Sequence, residues 1–475
     1  MSKGHAVTQA AVRETHCATV FFTGDRAYKV KKPVNLGFLD FTTPQARRDA
    51  CHREVRLNRR IAPDVYLGVA EVRDPAGVPC EWIVVMRRMP AERSLTRLLA
   101  DGVDVHDELR QVARQIAAFH AEADRGPLID QVALIEGLRE RWTANLSELV
   151  PFRDGPLDAD VLAEITDLVD RYLAGRRPLL EARAHAGAAC DGHGDLIADD
   201  IFCLPDGPRV LDCLEFDDRL RWVDALDDTA FLAMDLERLG RPDLGAWFLD
   251  CYAEFSGADR CATLAHHYIA YRAVVRSKVA CLRHAQGVAG QDDQARQLAA
   301  LALRHLRTAE PRLVLVGGRP GTGKSTVAGR LADELGAVLV QSDRVRKEMA
   351  GITPEAGAAA AWEEGIYGVA STERTYREMV RRAELLLGRG ETVVLDASWR
   401  TAAHREMARV VATGTSSRIV ELVCQAPDDV ADARIRTRAT TAHASDATPE
   451  IAALVARKFD PWPEADAVDT GSPAH

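Results

Sequence analysis

Nine consecutive residues in the last third of the chain have the types and spacing needed to bind an anion. Residues 318–326 read GRPGTGKST and follow the apolar run RLVLVG at 312–317. Between a buried strand and a helix, such a glycine-rich turn points successive backbone N–H groups at phosphate oxygens. Lys324 would add a positive charge on the outer phosphates, and the Ser325 hydroxyl would hold Mg²⁺. The sequence therefore predicts a nucleotide-binding loop formed by Gly318, Arg319, Pro320, Gly321, Thr322, Gly323, Lys324, Ser325 and Thr326.

Three aspartates in the middle of the chain are spaced so that a hairpin would bring them together. Residues 193–195 read HGD and lie in a loop before a predicted β-hairpin over 201–214. Asp200 lies at the start of that hairpin and Asp212 at the end of its second strand. Because a tight hairpin folds back on itself, we expect Asp195, Asp200 and Asp212 to converge. Phosphoryl transfer requires such a set, in which one carboxylate orients the acceptor hydroxyl and the others hold Mg²⁺.

The HGD sequence at 193–195, followed by Leu211-Asp212, resembles the aminoglycoside phosphotransferase-like kinases, which are related to protein kinases. This resemblance implies that Asp195 is the catalytic base and that Asp212 is the principal Mg²⁺ ligand. The family usually has an asparagine where this chain has Asp200. A carboxylate at that position can also hold Mg²⁺, but it changes the charge balance around the metal.

The N-terminal part of the chain completes the resemblance to that family. Residues 27–29 (AYK) resemble the strand that carries the lysine of the α- and β-phosphates, and Glu54 on the next predicted helix would position this lysine. Lys29 is the preferred candidate, although Lys31 lies on the same face of the strand. The glycine-rich nucleotide loop of protein kinases is missing. An ordinary surface ion pair remains the alternative interpretation of Lys29 and Glu54.

Two features after the glycine loop resemble small P-loop kinases of the gluconate, adenylylsulfate and polynucleotide kinase type. Residues 342–347 read SDRVRK, and the resemblance implies that Asp343 engages the acceptor hydroxyl. Arg346 would then bind a substrate anion or orient Asp343. Asp396 follows a predicted strand, where it would hold Mg²⁺ through water or contact the acceptor. The alternatives are a helix cap for Asp343 and a turn residue for Asp396.

Arg434 and Arg438 are four residues apart on a predicted helix, so they share one face. In the small P-loop kinases that the chain resembles, a lid carries such arginines onto the transferring phosphoryl group. Arginine suits this role because it stays charged and forks around phosphate oxygens. A solvated helix face is the alternative interpretation.

The elements that position these residues divide the chain into two predicted domains. Residues 1–310 combine two hairpins with long helical stretches, which predicts an α+β bilobal protein-kinase-like fold. Its small lobe covers about 1–90 and its large lobe about 91–310. Residues 311–475 alternate four strands with helices, which predicts an α/β P-loop NTPase fold with a parallel sheet.

The composition is that of an ordinary soluble protein, and it limits the classes of function that the chain could have. The chain has 475 residues, a net charge of -10 and ten scattered cysteines. The negative charge argues against nonspecific nucleic-acid binding, which needs a basic face. An apolar N-terminal signal and apolar runs of membrane-spanning length are both missing from the sequence, so we expect a cytoplasmic protein. The oligomeric state is not indicated.

Together these features predict a kinase with an alcohol group as acceptor. It would use ATP and Mg²⁺ to move a γ-phosphoryl group to a hydroxyl of a small polar acceptor. The P-loop site would be one catalytic centre, and the N-terminal domain would supply a second. The alternative is a P-loop kinase or ATPase regulated by an inactive N-terminal kinase-like domain that binds a ligand.

Overall fold

The computed structural model describes residues 11–14, 17–35, 39–258, 261–353, 365–438, 454–455 and 457–471. The chain divides into two compact units. The first consists of Met1–Leu162, Ala182–Arg260 and Ala265–His305, and the second of Ala163–Glu181, Cys261–Leu264 and Leu306–His475. The second unit thus takes up two segments that precede its main body. The domain boundary at residue 310 stays a prediction.

The first unit begins with an antiparallel sheet, as the two hairpin patterns predict. Its strand order is β1-β2-β3-β5-β4. Helix α1 begins after the N-cap Thr43, has Pro44 in its first turn, and packs on β4 and β5. The bounds are β1 Ala11–Glu14, β2 Ala18–Thr23, β3 Arg26–Lys31, α1 Pro44–Asn58, β4 Tyr66–Arg73 and β5 Pro79–Arg87.

Helices dominate the rest of the first unit, and two short antiparallel pairs, β6 with β9 and β7 with β8, lie between them. The helices are α2 Leu95–Ala100, α3 His106–Glu122, α4 Pro127–Ala133, α5 Glu136–Leu149, α6 Ala159–Gly175, α7 Arg177–His185, α8 Ala225–Arg238, α9 Pro242–Ser256, α10 Ala262–Ala285 and α11 Gln291–Ala309. Parts of α6 and α7, the first residues of α10 and the last residues of α11 belong to the second unit. The strands are β6 Ala189–Asp191, β7 Ile201–Leu204, β8 Gly207–Val210 and β9 Trp222–Asp224.

The hairpin of β7 and β8 is shorter than its sequence pattern indicates. Strand β8 ends at Val210, so Asp212 lies two residues beyond it and not at its end. Asp212 has φ 62, a left-handed conformation that a non-glycine residue adopts at an energetic cost. The Leu211 N–H still donates to the Asp200 carbonyl at 3.0 Å, so Asp200 and Asp212 lie near the same end of the hairpin as predicted.

The second unit contains a parallel sheet with the strand order β11-β12-β10-β13-β14. Its strands are β10 Arg312–Gly318, β11 Val338–Gln341, β12 Val393–Asp396, β13 Arg418–Gln425 and β14 Asp466–Asp469. Its helices are α12 Lys324–Leu335, α13 Ser342–Met349, α14 Val369–Gly388, α15 Ala402–Gly414 and α16 Asp428–Arg438. Strand β14 was not predicted, since its sequence DAVD carries no apolar run.

The hydrophobic core of the second unit fixes the position of the glycine loop. Residues 313–318 of β10 are all buried, because this strand lies at the centre of the sheet between β12 and β13. Among the described residues, no helix is both long enough and apolar enough to span a bilayer.

Candidate functional site

The glycine loop of the second unit is a closed turn that contains left-handed glycines and leads directly into helix α12. Gly321 and Gly323 have φ 82 and 77, values that favour glycine. A Cβ on Gly321 would lie 2.5 Å from the Ala431 carbonyl oxygen, so the close approach of α16 requires glycine there. The Thr322 hydroxyl donates to the Arg319 carbonyl at 2.8 Å and holds the turn closed. Helix α12 starts at Lys324, so its positive end faces the loop.

Asp396 lies at the carboxyl end of β12, beside the strand that leads into the loop. It pairs with Val316 of β10 on one side and with Gln341 of β11 on the other. Its Oδ2 accepts from Gln341 Nε2 at 3.2 Å, whereas its buried Oδ1 has no hydrogen-bond partner among the described residues. A buried carboxylate oxygen without a partner is costly, and a hydrated cation would satisfy it. This donor therefore fits Mg²⁺, with the Ser325 hydroxyl available at the start of α12.

Arg434 on α16 lies against the glycine loop. Its Nη2 donates to the Thr470 carbonyl at 2.7 Å, and its buried Nη1 has no hydrogen-bond partner within the described part of the chain. That nitrogen lies 3.6 Å from the position of a Cβ on Gly323. The Thr470 hydroxyl donates to the Thr322 carbonyl at 2.6 Å. The sequence did not predict Thr470, because it follows the unrecognised strand β14. The side chain of Arg438 lies outside the described residues.

Asp343 and Arg346 form an ion pair on α13. Arg346 Nη1 lies 2.8 Å from Asp343 Oδ1, and the guanidinium lies 4.8 Å from the ring centroid of Tyr367. Of the two roles left open for Arg346, this contact favours orienting Asp343. The helix-cap alternative for Asp343 is wrong, since the N-cap residue of α13 is Gln341.

In the first unit, a buried network of charges links strand β3 to helix α1. Lys29 Nζ lies 2.9 Å from Glu54 Oε1 and 2.6 Å from Asp212 Oδ1. Lys31 Nζ lies 2.6 Å from Glu54 Oε2 and also pairs with Glu215. Lys29 is 8% exposed and Glu54 is 0% exposed, so the interpretation as a surface ion pair is wrong. Both lysines reach Glu54, but of the two only Lys29 forms an ion pair with the proposed metal ligand Asp212 among the described residues.

The electrostatics of this network keep Lys29 charged. Burial lowers the pKa of Lys29, but the charges of Asp212 and Glu54 outweigh burial and raise it well above its usual value. Burial raises the pKa of Asp212, and the Lys29 ammonium outweighs it, so the net shift is downward. Both groups are therefore charged at neutral pH.

The HGD loop is held in place by hydrogen bonds to Asp228, which lies on the buried face of α8. Asp228 accepts from the His193 N–H at 2.6 Å, the Gly194 N–H at 2.8 Å and His120 Nε2 at 3.0 Å. The ring of His193 is buried and bonds to the Leu211 carbonyl at 3.1 Å, so His193 is a scaffold residue. Neither Asp228 nor His120 was predicted from the sequence. A charged residue on the apolar face of a predicted helix was the signal for Asp228.

The three predicted aspartates share one electrostatic environment. Burial raises the pKa of Asp195 to about 6. Burial and the charges of Asp212 and Asp195 raise the pKa of Asp200 well above its usual range. The arrangement thus provides a weakly basic Asp195 beside oxygen donors suited to Mg²⁺.

Comparison with known proteins adds a family match and a close relative. Residues 313–462 match a family described as "AAA domain". Uncharacterized protein Rv2004c of Mycobacterium tuberculosis (strain ATCC 25618 / H37Rv) is 44% identical over 462 residues, which cover 97% of this chain and 92% of that protein.

Solved structures resemble each unit separately. A choline/ethanolamine kinase family protein from Mesorhizobium loti is 16% identical in sequence, with a TM-score of 0.39. The match covers 63% of this chain and 93% of that protein's chain. A gluconokinase from Sinorhizobium meliloti 1021 is 18% identical in sequence, with a TM-score of 0.25. The match covers 34% of this chain and 85% of the gluconokinase chain.

The architecture confirms the predicted fold classes. The first unit has an antiparallel small-lobe sheet with a lysine–glutamate pair and a helical large lobe, and the second has a parallel sheet with a glycine loop after its central strand. Together with the domain match at 313–462, these features identify a kinase-type phosphotransferase with a P-loop. The roles of the individual site residues stay predictions.

Proposed function

The chain belongs to the same family as Uncharacterized protein Rv2004c of Mycobacterium tuberculosis, and on this premise we propose that it is an ATP- and Mg²⁺-dependent kinase with two sites. Each site would move the γ-phosphoryl group of ATP to a hydroxyl of a small polar acceptor. The match to this relative runs through both units, which supports treating them as parts of one enzyme.

One observation carries the proposal for the second site: among the described residues, two buried polar atoms of opposite charge beside the glycine loop have no hydrogen-bond partner. They are Asp396 Oδ1 and Arg434 Nη1. A phosphate chain with its cation would satisfy both, since the anion meets the arginine and the loop N–H groups while the cation meets the aspartate. A loop without a nucleotide function would leave both atoms desolvated at a cost of about 1–3 kcal/mol each.

In the second site, each residue would have a separate task in transfer. Lys324 and the loop N–H groups would hold the β- and γ-phosphates, and Arg434 would offset the charge that develops on the transferring group. Asp343, held by Arg346, would receive the proton of the acceptor hydroxyl. Bound Mg²⁺, held by Ser325 and through water by Asp396, would neutralise phosphate charge. Arg438 is proposed to act with Arg434 from the same helix.

In the first site, Lys29 would bind the α- and β-phosphates while Glu54 holds it in place. Asp195 would accept the proton of the acceptor hydroxyl as the oxygen attacks the γ-phosphorus, and ADP would leave. Asp212 and Asp200 provide the oxygen donors for Mg²⁺, which would offset the phosphate charge. Lys29 already contacts Asp212. Nucleotide binding must therefore either break this ion pair or place the phosphates and Mg²⁺ beside the intact pair.

A direct test compares Lys324→Ala with Asp195→Ala in the full chain. The proteins are incubated with ATP, Mg²⁺ and a pool of sugars, nucleosides and 5′-hydroxyl oligonucleotides, and phosphorylated products are identified by mass spectrometry. Each variant should lose its own products by about 10²-fold or more. Arg330→Ala serves as the control, because Arg330 is an exposed cation on the same helix as Lys324.

The second candidate is a P-loop kinase or ATPase regulated by an inactive first unit. The observation that favours it is the direct Lys29–Asp212 pair, which occupies both groups in the absence of a nucleotide. Under this alternative, Lys324→Ala abolishes all transfer, whereas Asp195→Ala changes none of the products. ATP turnover without any phosphorylated acceptor would contradict transfer at both sites.

A further inference from the structure

The turn that carries Asp212 in the first unit has no regular secondary structure. It covers residues 211–214 and follows strand β8. Within it Asp212 has φ 62, a left-handed conformation that residues other than glycine rarely adopt. Such a conformation persists only where the surrounding structure enforces it, and it is concentrated at functional sites. The groups that hold this turn therefore determine where the Asp212 carboxylate lies.

Tyr66, at the start of β4, holds the left-handed residue itself. The Asp212 N–H donates to the Tyr66 hydroxyl oxygen at 3.0 Å. Tyr66 is fully buried, and burial, with the charges of Asp212 and Glu54, raises the pKa of its phenol well above the usual value. The hydroxyl is therefore neutral and its oxygen accepts the bond. Because a buried backbone N–H without a partner is costly, this oxygen stabilises the conformation of Asp212.

Asn58, the last residue of helix α1, holds the next residue of the turn. Its Oδ1 accepts from the Cys213 N–H at 2.9 Å, and its Nδ2 donates to the Glu54 carbonyl at 3.0 Å. Asn58 is fully buried, and it lies one helical turn after Glu54, so the two residues share a face of α1. The same helix thus holds Lys29 through Glu54 and the Asp212 turn through Asn58.

The Asp212 carboxylate belongs to the buried charge network of the same unit. Its Oδ1 lies 2.6 Å from Lys29 Nζ, while the backbone of the turn is bound by Tyr66 and Asn58. Metal ligands in proteins are held by hydrogen-bonding neighbours, and removing such a neighbour typically costs about 10- to 100-fold in metal affinity or activity. Tyr66 and Asn58 make the contacts that such neighbours make.

We propose that Tyr66 and Asn58 are positioning residues of the first site, which hold Asp212 in its left-handed conformation and so fix its carboxylate as an oxygen donor for Mg²⁺. The part that concerns Mg²⁺ rests on the proposed function of that site. Both residues act through the backbone of the turn, and neither takes part in the proton or phosphoryl transfer. Their removal therefore weakens the metal site and leaves the acid–base chemistry of Asp195 in place.

Hydrogen exchange of the full chain, without nucleotide or metal, tests the positioning itself. Tyr66→Phe removes one oxygen atom and should speed exchange of the Asp212 amide by about tenfold, because that N–H loses its acceptor. Asn58→Leu should do the same at Cys213. Tyr28→Phe is the matched control, since it makes the same chemical change on the less buried face of β3. Equal exchange in Tyr66→Phe and Tyr28→Phe, or acceleration that extends equally to β2, overturns the proposal.

The Mg²⁺ dependence of transfer separates this inference from the proposed function. In Lys324→Ala protein, which lacks the second site, Tyr66→Phe should raise the Mg²⁺ concentration for half-maximal transfer by about tenfold, while kcat at saturating Mg²⁺ stays close to that of the parent. An unchanged Mg²⁺ requirement for an Asp195-dependent product keeps the first site as a phosphotransferase and overturns the role of Tyr66. Faster Asp212 exchange in Tyr66→Phe without any Asp195-dependent product contradicts transfer at this site, while the positioning of Asp212 stands.

Discussion

The two candidate sites differ in whether their buried charged groups have partners within the protein. In the first unit, Lys29, Lys31 and Glu54 pair with one another and with carboxylates of the catalytic loop region. In the second unit, Asp396 and Arg434 each keep one buried polar atom without a hydrogen-bond partner among the described residues. In the first network each charged group already has an oppositely charged partner, whereas among the described residues Asp396 and Arg434 form no ion pair, and we propose that a ligand supplies their partners.

This difference has an energetic consequence. Removing one member of a buried ion network leaves an uncompensated charge and destabilises the fold. Removing a buried charge that has no partner carries no such penalty and lowers only the affinity for the ligand. The first site should therefore respond to substitution through stability, and the second through binding and catalysis.

The largest effect is expected for Glu54→Gln, because the change leaves two buried lysines without their shared carboxylate. The first unit should lose about 3–5 kcal/mol of unfolding free energy. Hydrogen exchange of peptides from α1 (Pro44–Asn58) measures the stability of the first unit separately from that of the rest of the chain. Loss of less than about 1 kcal/mol would show that the network does not stabilise the small lobe.

Asp396→Asn tests the opposite behaviour in the second unit. The asparagine keeps an acceptor for Gln341 but removes the unpaired charge. We expect hydrogen exchange in β12 to be unchanged or slower, while Mg²⁺-dependent turnover falls about 10- to 100-fold. If β12 in Asp396→Asn exchanged as fast as α1 does in Glu54→Gln, the proposed difference between the two sites would be wrong.

Arg434→Ala should lower kcat/KM for ATP at the second site by about tenfold or more, since a charge-assisted hydrogen bond to the transferring phosphoryl group contributes about 1.5–3 kcal/mol. Arg436→Ala is the matched control, because Arg436 is exposed on the same helix. Equal kcat/KM values for the two variants would remove Arg434 from the nucleotide site. Steady-state kinetics in an Asp195→Ala background isolates the second site.

The smallest effect is a pH step in the first site. Asp195 must be deprotonated to accept a proton, and its pKa is raised to about 6. Transfer by Lys324→Ala protein should therefore be half-maximal near pH 6, rise above it and fall about tenfold per pH unit below it. Asp195→Asn should show no such step. A profile flat down to pH 5 would contradict the role of Asp195 as base.

The sequence predicted the local parts of both sites and missed the parts assembled over distance. The glycine loop, its strand and its helix are contiguous, so one pattern contains the whole structure. Asp228 and His120 are far apart in the chain and meet only under the HGD loop. Strand β14 is short and acidic, and its pairing with β13 comes from the edge that β13 offers, not from its own pattern.

The chain alone determined which residues have the chemistry of phosphate and metal binding, because glycine conformations, lysine charge and strand-to-helix spacing are local properties. Tertiary structure decided how those charges are paired. Burial made one carboxylate a weak base and joined two lysines to Glu54. It also left Asp396 and Arg434 each with one polar atom that has no hydrogen-bond partner in the described part of the chain. Electrostatic strength depends on distance and solvent exclusion, and both arise only when remote segments pack together.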